Sequence, residues 1–281
     1  MTVHAIPGSK EAAPRLVHTV LGKLAVRIVG HGPRQVVLWP SIFCDSRIFD
    51  ALTHDLADLA AFVLIDGPGH GESPGTGLEF SMSDAGHAML EIMDVLGIEK
   101  ATVGGVSWGG LVAAEAALAK PDRVEALVMM NTPMDIDGTK PGFGDRMIAL
   151  GARWMVGLKF FRDGVARSFF DADALRRNPR YQAQFHAMLA KADRRRLAAA
   201  VRSVILRGVP LRGRLKDLTA PTLLIAGIAD SLYPVEGQAA AALLIPNCQF
   251  APVPGHHISP IDAPEDVAAF LRGFLTERAA A

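Results

Sequence analysis

One short turn, residues 104–110, constrains the fold of this chain more than any other stretch. The three residues before it, 101–103, end in a β-branched pair that favours a strand, and an alanine-rich apolar run follows the turn and favours a helix. The pattern predicts a strand, a sharp turn and a helix, with Ser107 inside the turn. Side chains at Gly105 and Gly109 would collide with the neighbouring strand and helix, which explains the glycines.

A serine in such a turn is a candidate nucleophile. The alternative is a glycine-rich turn that packs closely or holds a phosphate. A phosphate-binding loop of the Walker type ends in Lys-Ser or Lys-Thr, and residues 104–110 contain neither pair. The strand before Ser107 and the helix after it favour the nucleophile.

Strands and helices alternate through most of the chain, after an antiparallel hairpin formed by residues 16–20 and 24–29. The continuously apolar runs are typical of strands that are buried on both faces. We predict an α/β fold with a mostly parallel, eight-stranded sheet and helices on both faces. The strands expected after the hairpin are residues 36–39, 61–65, 101–103, 124–130, 220–227 and 248–253, and the expected helices are 46–59, 81–96, 111–118, 235–244 and 265–278.

The alternation stops between residues 132 and 214. That stretch opens with several prolines and glycines and then has helical spacing only, which predicts helices over 147–161, 165–170, 181–190 and 195–206. The predicted organisation is therefore a core formed by residues 1–131 and 215–281, interrupted by a helical insertion over residues 132–214.

The charge balance argues against two classes of partner. The chain has 29 Lys and Arg and 29 Asp and Glu, so its formal net charge is zero, and no global field favours nucleic acid or an anionic membrane. No apolar run is long enough to cross a bilayer. Cys44 and Cys248 are far apart, and the N-terminal residues lack the apolar segment of a secretion signal. We expect a reduced, cytoplasmic protein without a metal.

A serine hydroxyl needs a base within hydrogen-bond reach and a third group that orients the base. In parallel α/β sheets such residues follow the carboxyl ends of strands. Asp230 follows the strand at 220–227, and His256 and His257 follow the strand at 248–253. The order Ser, Asp, His fits an acyl-transferring triad, with either histidine as the base.

Several ordered motifs together resemble the α/β-hydrolase family, from about Leu16 to the end of the chain. Residues 66–73 are similar to the D-x-x-G-H-G-x-S turn of that family, and residues 105–110 to its nucleophile turn. Residues 257–265 resemble the corresponding segment of 3-oxoadipate enol-lactonases, with Asp262 and Pro264 at the matching distances from His257. The resemblance therefore selects His257 as the base, with His256 as the alternative.

The same resemblance implies an oxyanion hole and a cap. The backbone N–H of Trp108 is one expected donor, and Ser41 or Ile42 supplies the second, since Pro40 has no N–H. The insertion resembles the family's cap, whose apolar residues would line the site. Those expected to bind substrate are Phe143, Met147 and Trp154, with Met155, Phe160, Phe161, Phe169 and Phe170 as further candidates.

The resemblance implies a serine hydrolase that cleaves an ester or lactone of a small, largely apolar substrate, without metal or organic cofactor. A carbon–carbon bond hydrolase, a cofactor-free haloperoxidase with perhydrolase activity and an acyltransferase use the same triad. A low-turnover ligand-binding receptor and a structural protein with an incidental Ser-Asp-His order are alternatives of other classes. The sequence leaves the oligomeric state open, with a homo-oligomer as one option.

Overall fold

The computed structural model describes residues 14–135 and 140–277, and within these ranges the chain forms eight β-strands and eleven α-helices. The N-terminal residues considered above and residues 136–139 of the insertion lie outside the described part. The eight strands form a single sheet in the order β1-β2-β4-β3-β5-β6-β7-β8. They span Arg15–Thr19 (β1), Gly22–Val29 (β2), Arg34–Trp39 (β3), Ala60–Ile65 (β4), Ala101–Val106 (β5), Val124–Met130 (β6), Thr222–Gly227 (β7) and Cys248–Val253 (β8).

The predicted sheet is confirmed. β1 and β2 form the expected antiparallel hairpin, β2 is antiparallel to β4, and every other neighbouring pair is parallel. Strands β4, β5 and β7 are buried along their whole length. Their unbroken apolar sequences follow from burial on both faces of the sheet.

The core helices pack together in pairs, α1 with α11 and α2 with α3. Their bounds are Asp50–Asp55 (α1), Met82–Val95 (α2), Trp108–Ala119 (α3), Val235–Ala242 (α9), Ser259–Asp262 (α10) and Pro264–Glu277 (α11). α2 begins where its capping signal predicts, since the Ser81 hydroxyl accepts from the Asp84 N–H and the Asp84 carboxylate accepts from the Ser81 N–H. The helix expected over residues 46–59 is shorter and starts as a 3₁₀ turn, Ser46–Phe49.

Five α-helices lie between β6 and β7 in the described part of the insertion: Phe143–Trp154 (α4), Lys159–Phe169 (α5), Ala172–Arg177 (α6), Pro179–Lys191 (α7) and Arg194–Val201 (α8). The single helix expected over residues 147–161 is divided by a turn in which the Leu158 N–H donates to the Met155 carbonyl. Helix α6 was not among the helices that the sequence predicted. Its start is fixed by the Asp171 carboxylate, which accepts from the Ala174 N–H.

Candidate active site

Ser107 lies between β5 and α3 with a strained backbone. Its φ of 54° and ψ of −115° are uncommon for a residue with a side chain. The strand before it and the helix after it approach β3 so closely that a Cβ at Gly105 or Gly109 would overlap the Trp39 carbonyl oxygen. The Ser107 N–H donates to the Met130 carbonyl, 2.7 Å away, which ties the turn to the end of β6. The glycines are therefore required by close packing, as the sequence indicated.

Asp230 and His257 meet at the carboxyl end of the sheet. His257 Nδ1 lies 2.9 Å from Asp230 Oδ2, and both residues are buried. The other carboxylate oxygen, Oδ1, accepts from the backbone N–H groups of Leu232 and Tyr233. This arrangement fixes Nδ1 as the protonated nitrogen and leaves Nε2 to act as a base.

Opposing effects set the charge of Asp230. Burial raises the pKa of this carboxyl, but the hydrogen bonds and the charge of His257 and the hydrogen bond from Asn131 outweigh burial and hold the pKa below its usual value. Asp230 is therefore ionised at neutral pH. An ionised partner is what a histidine needs when it takes up a proton during a reaction.

Asn131 also contacts this pair, a contact that the sequence did not predict. Its Nδ2 donates to Asp230 Oδ2, at 3.0 Å, and to the His256 carbonyl oxygen, also at 3.0 Å. Its φ of 49° is left-handed, a conformation that asparagine tolerates better than most residues. Its position directly after β6 was the available signal in the sequence, but an asparagine cannot supply the anion that a catalytic triad needs.

The two adjacent histidines have different surroundings. His257 lies between aromatic rings, with centroid distances of 5.2 Å to Phe169 and 5.4 Å to Tyr233. His256 Nδ1 is instead 3.5 Å from Asp171 of the insertion. The structure thus brings His257, and not His256, to Asp230.

The loop after β3 contains the candidate donors Ser41 and Ile42, which are both buried. The Phe43 N–H is engaged, since it donates to His70 Nε2 at 3.0 Å, while His70 Nδ1 donates to the Pro68 carbonyl. Burial lowers the pKa of His70 to about 4, so this histidine is neutral and holds the loop. The N–H of Trp108 is at the start of α3, where helical N–H groups have no partner within the helix.

The insertion is hydrogen-bonded to the loop that carries His256 and His257. The His257 N–H donates to the Phe169 carbonyl at 3.1 Å. Asp262 accepts from the Asp171 N–H through Oδ1 and from the His256 N–H through Oδ2. Burial raises the pKa of Asp262 to about 6.

The structure does not enclose the three residues expected to bind substrate. Phe143, Met147 and Trp154 are 81%, 40% and 59% exposed. The reason is the orientation of α4, which turns the small side chains of Ala149 and Ala152 toward the protein. Among the other candidates, Phe169 and Phe170 are buried, and Phe169 contacts His257.

Ser107, Asp230 and His257 are 4%, 3% and 1% exposed, so all three lie below the protein surface. A cleft of about 790 Å³ lies elsewhere, between α7 and loops of the core, and contains none of these three residues. Within the described residues, no helix is long and apolar enough to span a bilayer, and no group of three His, Cys, Asp or Glu residues could hold a metal.

The family model of the alpha/beta hydrolase fold matches residues 36–264, most of the chain and all of the site described above. The chain belongs to the α/β-hydrolase family. The family, the fold and the classification as a hydrolase, all expected from the sequence, are thereby confirmed.

Named relatives of this α/β-hydrolase act on different esters. The chain is 28% identical to 3-oxoadipate enol-lactonase 1 of Acinetobacter baylyi over 255 residues, 90% of this chain and 92% of that protein. It is 29% identical to the pimeloyl-[acyl-carrier protein] methyl ester esterase of Xanthomonas axonopodis pv. citri over 264 residues, 89% of this chain and 98% of that protein. Among solved structures, a thermophilic esterase from Thermogutta terrifontis superposes with a TM-score of 0.85 at 25% identity, covering 95% of this chain and 99% of that chain.

Proposed function

We propose that this protein is a serine hydrolase that cleaves a carboxylic ester or lactone of a small, largely apolar substrate through an acyl-enzyme on Ser107. The observation that carries the proposal is the buried 2.9 Å contact of His257 Nδ1 with Asp230, at the sheet end where Ser107 lies in a strained turn. The named relatives above, a lactonase and an ester hydrolase, support the same chemistry.

In the proposed reaction His257 Nε2 removes the hydroxyl proton of Ser107 while Oγ attacks the substrate carbonyl carbon. The resulting imidazolium is stabilised by the ionised Asp230. The tetrahedral intermediate collapses, the bond to the leaving oxygen breaks, and His257 gives its proton to that oxygen. In a lactone the leaving alcohol stays attached to the acyl group.

The acyl-enzyme is then hydrolysed by water. His257 takes a proton from the attacking water, a second tetrahedral intermediate forms, and its collapse releases the carboxylic acid and returns the proton to Ser107 Oγ. In both halves of the reaction the negative oxygen would be held by the Trp108 N–H and by the N–H of Ser41 or Ile42. One such donor is typically worth about 3–4 kcal/mol of transition-state stabilisation.

The surroundings of the base support an apolar substrate. Phe169 and Tyr233 lie against His257, and Phe43, in the loop of the candidate oxyanion donors, makes edge contacts with Phe161 and Phe169. Aromatic rings around a small number of polar groups are typical of sites for apolar ligands. We also propose that residues 132–214 act as a cap that moves to admit the substrate.

Labelling by a fluorophosphonate probe and hydrolysis of p-nitrophenyl acetate and butyrate test this function. Ser107→Ala should lose the label and lose roughly 10⁴-fold or more in kcat. Ser168→Ala is the matched control, because Ser168 is exposed on α5 and its hydroxyl bonds only the Gly164 carbonyl. Folded wild-type protein that is neither labelled nor active would reject the proposal and favour a ligand-binding role.

A second pair of variants tests the base. His257→Ala should abolish turnover, whereas His256→Ala should keep most of it, since His256 is not bonded to Asp230 through its ring. The substrate class is tested with a p-nitrophenyl ester that carries a carboxylate at the far end of its acyl chain. Faster hydrolysis of this anionic ester than of the butyrate would contradict the apolar preference.

A further inference from the structure

Helix α4 turns its large apolar side chains toward solvent. The residues of one face are Phe143, Met147, Leu150 and Trp154, which follow helical i, i+4, i+7 and i+11 spacing and are 81%, 40%, 49% and 59% exposed. We call these four residues the α4 stripe. The opposite face, with Ala149 and Ala152, is buried. A surface helix of a water-soluble domain normally has the reverse arrangement, with its large apolar side chains toward the core.

The exposed apolar surface extends beyond the stripe. Ile148 lies next to Met147 and is 40% exposed, and after α4 come Leu158 and Phe160, at 49% and 62%. Single exposed apolar residues are common, but a contiguous group of large ones marks an interaction surface.

Two arginines accompany the stripe. The Arg153 guanidinium lies 4.3 Å from the centre of the Trp154 ring, and Arg146 is exposed one turn before Leu150. Neither arginine has an acidic partner in the part of the chain that the structure describes. Tryptophan and large aliphatic residues on one side with free arginines beside them are typical of helices that lie in the interface of a membrane.

The charges are divided unevenly along the chain, which the net charge of zero does not show. Residues 140–214 contain 17 Lys and Arg but only 5 Asp and Glu, a formal net charge of +12, and the remaining residues have a formal net charge of −12. Four of the 17 basic residues form ion pairs with acidic residues outside the range: Arg202 and Arg207 with Glu79, Arg212 with Asp135, and Arg214 with Glu115. The range stays basic when these pairs are set aside, and an anionic surface attracts such a part of a protein more than the rest.

We propose that the α4 stripe, with Arg146 and Arg153 beside it and the other basic residues of 140–214, binds an anionic lipid bilayer, with α4 lying in the interface between headgroups and acyl chains. The expectation of no membrane partner rested on the total charge, which averages over a basic and an acidic part of the chain, and on the lack of a membrane-spanning run, which does not bear on binding at the surface of a bilayer. A second copy of the chain is not expected to cover the α4 stripe. Two stripes joined face to face would bring together two segments that each have a formal charge of +12. The inference concerns binding and does not depend on the proposed ester hydrolysis.

Flotation with extruded vesicles tests the proposal directly. Wild-type protein should float with vesicles of phosphatidylcholine and phosphatidylglycerol, should float far less with phosphatidylcholine alone, and should be released by high salt. The double variant Leu150→Asp with Leu158→Asp should bind at least about tenfold more weakly. Leu243→Asp is the matched control, because Leu243 is 88% exposed on the core and should leave binding unchanged.

Charge is tested separately from the apolar surface. Arg146→Gln and Arg153→Gln should each weaken binding to the anionic vesicles by about fivefold. Ser107→Ala should float like the wild type, which separates this proposal from the catalytic one.

Three results would overturn the proposal. One is wild-type protein that floats with neither kind of vesicle. Another is flotation that the Leu150→Asp and Leu158→Asp double variant leaves unchanged, since the apolar surface would then have no part in binding. The third is a wild-type dimer in size-exclusion chromatography that this double variant dissociates while vesicles capture nothing, which would make the stripe a contact between subunits.

Discussion

The strain in the Ser107 backbone can be measured by comparing alanine with glycine at that position. Ser107 has a φ of 54° and a ψ of −115°, and a side chain held in so sparsely populated a region costs about 1–3 kcal/mol. Glycine adopts positive φ without this cost. Replacing alanine by glycine at position 107 should therefore raise the free energy of unfolding by the amount that the strained backbone costs.

Two other effects of replacing alanine by glycine lower the stability and partly offset the energy gained by relieving the strain. Glycine gives the unfolded chain more conformational freedom, and it removes a buried methyl group; in a buried helix the two costs together are about 1–2 kcal/mol. Ala113, which is fully buried in α3, supplies the reference for these costs. We expect the alanine-to-glycine step at 107 to be more favourable than the step at 113 by about 1–3 kcal/mol.

The assay is urea unfolding followed by tryptophan fluorescence. The three proteins compared are Ser107→Ala, Ser107→Gly, and Ser107→Ala with Ala113→Gly. Equal m-values would show that the unfolded states remain comparable. If the alanine-to-glycine step lowers the free energy of unfolding equally at positions 107 and 113, within about 0.5 kcal/mol, the prediction is wrong, because the turn then holds no strain that glycine relieves.

Three further predictions concern the residues around the site. Asn131→Ala should lower kcat/KM for p-nitrophenyl acetate by about 10- to 100-fold, since Asp230 loses a charge-assisted hydrogen bond; unchanged kinetics would contradict this role. His70→Phe should lower the free energy of unfolding in urea by about 1–3 kcal/mol, because the Phe43 N–H loses its acceptor, and an unaffected midpoint would speak against it. Burial raises the pKa of Asp262 from 3.8 to about 6, so its contribution to stability is complete below about pH 4 and is lost as the pH rises through 6, a total of about 3 kcal/mol. Asp262→Asn cannot titrate, so its stability-against-pH curve should lack this fall, and a curve parallel to that of the wild type would exclude the effect.

The sequence predicted most of the core because several local signals agreed there. Around Ser107 the strand, the glycines and the helix all indicate the same turn, and the structure shows why a Cβ at Gly105 or Gly109 would not fit. The continuous apolar runs indicate buried parallel strands for the same reason, since a strand covered on both faces has no polar side. Such signals lie within a few residues of one another and need no knowledge of distant contacts.

Contacts between distant residues were beyond this kind of reasoning. Asn131 and Asp230 are 99 positions apart, and their hydrogen bond exists only because β6 and β7 are neighbours in the sheet. His256 and His257 are adjacent, so spacing alone could not separate them. The structure separates them through Asp171 of the insertion, which lies near His256, and Asp230, which holds His257.

The orientation of α4 shows what helical spacing leaves open. Helical spacing shows which residues share a face, and it correctly groups Phe143, Met147 and Trp154. It does not show which face is turned toward the rest of the protein. In α4 the large apolar side chains lie outward, and the opposite face carries Ala149 and Ala152, which allow a closer approach to α8.

The hydrogen bonds between the insertion and the histidine loop limit how the site can open. The Phe169 carbonyl and the Asp171 N–H are both bonded to that loop, through the His257 N–H and the Asp262 carboxylate. If residues 132–214 act as the proposed cap, lifting them at residues 169–171 would pull His257 away from Asp230 in the same movement. An opening that keeps His257 in contact with Asp230 would have to pivot at this junction, with the movement confined to parts of the insertion farther from residues 169–171.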